Sequence, residues 1–104
     1  MKIIEYMSDR ILDELKGAED YAEHALEYKY DYPSYAASLY EMSKQEYSHS
    51  QMHHDQAVKT IEEYRKTHGG EVPEAMKIIW DREHKLHIKF ATKVKHLQEM
   101  YKES

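Results

Sequence analysis

The sequence predicts an all-α fold: an antiparallel bundle of three long helices, forming a single domain over residues 1–104. Three observations carry that expectation. Only three glycines and two prolines occur in 104 residues, which leaves little room for a many-turned β fold. Charged residues reach 34% against 40% apolar, with a mean hydropathy of -0.97, a balance that suits long amphipathic helices with solvated outer faces. Apolar residues recur at spacings of three and four on both sides of each break. A chain of this length builds one modest core, and association with a second copy is a common way to bury more.

The first helical segment runs from about Ile3, or from a cap at Ser8 and Asp9, to about Tyr30. Its inward line is Ile4, Met7, Ile11, Leu15, Ala18, Ala22 and Ala25, with Glu14 on the edge beside Leu15. Tyr30-Asp31-Tyr32-Pro33-Ser34 is the first break. Pro33 fits the first turn of a new helix, where its missing N–H is no loss. The second segment runs from Pro33 to about Thr67, where Gly69-Gly70 stops it and Pro73 restarts the chain. The third runs from about Glu74 to Tyr101 with a stripe of Met76, Ile79, Glu83, Leu86, Phe90, Val94, Leu97 and Tyr101. Both connections are short, so neighbouring helices should be antiparallel.

Composition excludes several classes of function. A formal charge of -5 without a basic block argues against nucleic-acid or anionic-membrane binding. The absence of cysteine removes disulfides, thiolate zinc sites, iron–sulfur clusters and cysteine catalysis. With no signal peptide and no apolar run of ~20 residues, the expected setting is the cytoplasm, or a compartment within it. Eight histidines and ten tyrosines are the main compositional clue.

The second segment holds polar residues on its apolar line. Leu39 and Met42 precede and Ala57, Ile61 and Tyr64 follow, but between them the line reads Glu46, His49, His53. A carboxylate and an imidazole at i, i+3 project into one volume, and burying them unpaired would cost several kcal/mol. A metal ion held by oxygen and imidazole ligands would compensate. Folding about Tyr32 sets Glu14 level with Glu46 and His49, roughly 20–25 Å from the turn at 1.5 Å per residue. Folding about Gly69-Gly70 sets His53 opposite His87. Glu83 and His87 are therefore expected in a second polar layer with His53, as second-tier ligands or an ion path. The plainer readings are a hydrogen-bonded Glu46–His49 pair, Glu14 on a solvated face, and a helical interaction protein with no chemistry. His54, His68, His84 and His96 are expected on the solvent side. The tyrosines at 28, 30, 32, 35 and 40 suggest an aromatic cap or a subunit interface.

Ile11-Leu12-Asp13-Glu14-Leu15 followed by Ala18, Tyr21 and His24-Ala25 resembles the first helix of bacterioferritins. Glu46-x-x-His49 resembles their second-helix Glu-x-x-His, within the wider ferritin-like superfamily of di-iron carboxylate proteins. The similarity covers about the first two-thirds of the chain. The chain is too short for four long helices and has no second Glu-x-x-His, only Asp81-x-x-His84 and Glu83-x-x-x-His87. It thus resembles the encapsulated ferritins, in which two short chains complete one site. The resemblance implies iron as the metal, with manganese or zinc as substitutes, and ferroxidase activity at a di-iron site ligated by Glu14, Glu46 and His49. It also implies a homodimer or higher homo-oligomer and an encapsulating shell, although Met100–Ser104 shows no obvious encapsulation peptide. Tyr21 would act as a hydrogen-bonding or redox neighbour, and Glu19, Asp20 and Glu23 would steer cations inward. A small di-iron oxidase or peroxidase is a further alternative.

Overall fold

The computed structural model describes residues 2–104 and contains three helices: α1 (Lys2–Tyr28), α2 (Pro33–Thr67) and α3 (Glu74–Glu103). They lie side by side in a rod measuring 57 × 19 × 18 Å. Among the described residues, no helix is long and apolar enough to cross a membrane. The turns form as the sequence indicates. Pro33 opens α2, and the backbone N–H of Tyr32 and Ala36 donate to the carbonyls of Tyr28 and Tyr32 across the joint. Gly69 and Gly70 both take positive φ, at 69° and 88°, conformations that a side chain would strain. Gly70 N–H donates to Arg65 O at 2.7 Å and closes the end of α2.

Helix α1 starts at Lys2, so Ser8 does not cap it. The reason is packing. Ile4 meets Ala57, Ile61 and Met76, with Met7, Val72 and Trp80 around them, and this cluster holds the first turns of α1 in the bundle. The expected inward line of α1 is the buried one, except that Ser8 rather than Met7 is fully buried.

Helix α2 buries Leu39, Ala57 and Ile61 of the expected line, but between them the interior passes to a neighbouring row at Ser43 and Ser50. Its buried residues are Ala36, Leu39, Ser43, Ser50, Ala57 and Ile61, while Met42 and His49 are exposed and Glu46 and His53 half-buried. Ala18, Ala22 and Ala25 of α1 and Ala36 and Ala57 of α2 are all fully buried, and small side chains of this kind bring helix axes close. Serines fit such a contact when their hydroxyls find acceptors: Ser43 donates to Ala18 O at 2.7 Å and Ser50 to Tyr47 O at 2.6 Å. The line through Glu46, His49 and His53 consequently runs along the rim of the α1–α2 interface, not through its interior.

Helix α3 packs mainly on α1 and touches α2 sparsely. Its buried residues are Met76 and Val94 of the expected line, with His87 and Gln98 in place of the neighbouring Leu86 and Leu97, and Leu86 is left exposed. Gln98 Nε2 donates to Ser43 Oγ at 3.0 Å, so one polar chain, Gln98–Ser43–Ala18, joins all three helices. Removing the Ser43 hydroxyl strands a buried amide. Ser43→Ala should cost about 1–3 kcal/mol in urea denaturation, and Ser43→Ala/Gln98→Leu should recover most of it. At the other end of α1, Lys29 Nζ donates to the carbonyls of Tyr101 and Ser104 at 2.5 Å, and Tyr40 stacks on Tyr101 with centroids 4.6 Å apart.

Candidate metal centre

The antiparallel register about Tyr32 sets Glu14 of α1 level with Glu46 and His49 of α2. Among the described residues these three alone form a group whose ligand atoms all lie within 4.8 Å of one another. His49 Nδ1 stands 3.6 Å from Glu14 Oε2 and 3.9 Å from Glu46 Oε1. The side chains are 19%, 29% and 53% exposed for Glu14, Glu46 and His49, so the group opens at the molecular surface.

Two features show that the group is under electrostatic stress. Glu14 Oε2 is buried and has no hydrogen-bond partner. The Glu14 carboxyl beside it raises Glu46 to about 7, with burial adding to the effect and His49 opposing it. Two carboxyls this close retain a proton near neutral pH because both cannot ionise without a counter-charge. A divalent cation supplies that charge, and carboxylate with imidazole is a donor set that iron, manganese and zinc accept.

Gly17 completes the local geometry. It lies one turn after Glu14, and a Cβ there would come 3.1 Å from Glu46 Oε2. It is the one glycine inside a helix, where glycine costs about 0.5–1 kcal/mol relative to alanine. That mid-helix glycine was a signal available in the sequence. Gly17→Ala should raise the melting temperature while displacing the Glu46 carboxylate and weakening metal binding. Paired thermal melts and metal titrations check both signs.

His53 lines a cavity of about 290 Å³ with Glu14, His49, Met52 and Gln56, at the edge of the same group. It does not join His87. Adjacent residues on a helix point about 100° apart, and it is His54 that faces α3, its ring 5.2 Å from that of His84. The expected layer of His53, Glu83 and His87 is therefore not assembled. Glu83 is half-buried on α3, and His87 is buried with Nε2–H donating to Ser8 O at 3.1 Å. His54 and His84 are half-buried rather than solvent-side.

Tyr21 lies about 10 Å along α1 from Glu14, on the 1.5 Å rise. It lines a groove with Asp20, His24, Tyr28, Tyr32, Tyr35 and Leu39, which places it in the aromatic cap rather than against the trio. Of the three acids expected to steer cations, Glu19 and Glu23 turn to Lys93 of α3, at 2.6 and 3.8 Å, leaving Asp20 alone without that neutralising partner.

No known protein family, no curated protein and no solved structure matches this chain.

Proposed function

We propose that this chain is a ferritin-like ferroxidase subunit that binds Fe(II) through Glu14, Glu46 and His49 and passes its electrons to dioxygen or peroxide. The observation that carries the proposal is the convergence of two carboxylates and one imidazole, one carboxylate oxygen being buried without a partner. One chain supplies half the ligand set of a ferritin-like di-iron site. The trio opens on a face that bears Met42 and Met52, 36% and 65% exposed, on either side of it along α2. A two-fold axis beside Glu46 would bring two such faces together, cover the methionines and join two trios into one di-iron site. In that site Glu46 would lose its proton as iron binds, Glu14 Oε2 would gain the partner it lacks, and the flanking methionines would exclude bulk water. Iron supplies the one-electron chemistry.

Aerobic Fe(II) titration of the purified protein tests the reading, with near-UV absorbance and oxygen uptake as readouts. Saturable oxidation with two irons per dimer is expected. Oxidation no faster than in buffer would refute it.

A further inference from the structure

A second group of ligand-type side chains lies between α2 and α3, the two helices that touch each other least. His84 and His87 stand one turn apart on α3, and His54 faces them from α2. A cavity of about 170 Å³ opens against all three, and its remaining walls include Ile11, Leu15, Ile88 and Ala91. His87 is only 4% exposed. Because its Nε2–H donates to Ser8 O at 3.1 Å, the neutral ring leaves Nδ1 as a bare lone pair, and that atom is buried with no partner. Burial holds His87 below the ordinary imidazole value, against the opposing pull of the Ser8 carbonyl and Glu83, which favours this neutral form. His84 Nδ1 is likewise buried and unpartnered. A ring nitrogen donating to a backbone carbonyl while its twin keeps an unpartnered lone pair is the arrangement of a metal-ligating histidine.

We propose that His54, His84 and His87 form a second cation site, all imidazole, for a late first-row divalent ion such as Zn(II), Ni(II) or Cu(II). The donor set distinguishes it from the first centre: three neutral nitrogens favour these ions over Fe(II) and Mn(II), whereas the two carboxylates of the first centre suit the harder ions. The His54 ring stacks on His84 at an interplanar angle of 28°, and its side chain is 35% exposed. Binding turns that ring out of its stack so that the three nitrogens converge. The half-buried Glu83 carboxylate near His87 supplies compensating charge. Occupancy would pin α3 to α2, two helices that otherwise touch little.

Trp80, the one tryptophan in the chain, reports on this site. Its ring centroid lies 5.9, 5.6 and 6.4 Å from those of His54, His84 and His87. The test uses Glu14→Ala/Glu46→Ala protein, so that failure of the iron reading does not affect it. Cu(II) or Ni(II) titrated at neutral pH should quench Trp80 fluorescence saturably, and Zn(II) should reverse the quenching by competition. His54→Ala and His84→Ala should each raise the midpoint by about tenfold or more. Zn(II) should also raise the melting temperature of the protein with all three histidines intact, since an ion that binds only the folded state stabilises it. Quenching that is absent, or that is unchanged in both histidine variants, overturns the proposal, as does a melting temperature indifferent to Zn(II).

Discussion

If the proposed function holds, Glu46→Ala protein should fold and oxidise Fe(II) at least about a hundredfold more slowly than the unaltered chain, because it loses the carboxylate that would serve both half-sites. The same residue governs the response to pH. Its carboxyl lies at about 7 in the folded chain against 4.5 as the ordinary value. A raised carboxyl binds its proton more tightly when folded, so its contribution to the stability of the metal-free protein is full below pH 4.5. That contribution is lost as pH rises through about 7. Glu46→Gln, neutral at every pH, should flatten this decline in a series of thermal melts. Iron must displace the proton, so affinity for Fe(II) should climb as pH rises through about 7 and level off above it, while Glu46→Gln binds weakly throughout. Calorimetric titration at several pH values measures both the climb and the proton released.

Met42→Arg should convert a dimer to a monomer and abolish oxidation without unfolding the chain. Met42 is 36% exposed and one turn from Glu46, so beside a two-fold axis it would lie close to its own counterpart. Two arginines there would repel each other and the cation together. Sedimentation equilibrium gives the mass, circular dichroism the helix content, and oxygen uptake the activity. A monomeric variant that oxidises iron at the original rate would mean that one chain suffices. An unaltered chain that is itself monomeric at high concentration would remove the two-fold mate altogether.

The fold was legible because three helices and two turns are written in local chemistry. Pro33, the Gly69-Gly70 pair and the spacing of Ile4, Ile11, Leu15 and Ala18 act over a few residues, and neighbouring elements do not override them. The register of Glu14 against Glu46 and His49 was legible for a related reason: a short turn and a fixed rise per residue leave little freedom. Which face of each helix turns inward was harder. On α2 the sequence offers a line of larger residues through Met42 and Tyr64, yet the helices meet along alanines and serines, because small side chains allow the closest approach and Ser43 and Ser50 can satisfy their hydroxyls on nearby carbonyls. A rotation of about 100° then exchanges His53 for His54 as the residue facing α3. The same rotation moved Glu46 and His49 from an expected interior to a rim. Gly17 stands out in α1 as a mid-helix glycine, but its role, space for a side chain on another helix, is displayed by no pattern within α1.

Anomalous scattering at the iron edge, from a crystal of the protein soaked with Fe(II), distinguishes a shared iron site from a plain helical scaffold. Paired peaks between two chains related by a two-fold axis, each beside Glu14, Glu46 and His49, are the predicted result. Iron absent from these residues, or the Glu46 face turned to bulk solvent with no second chain against it, would contradict the assignment.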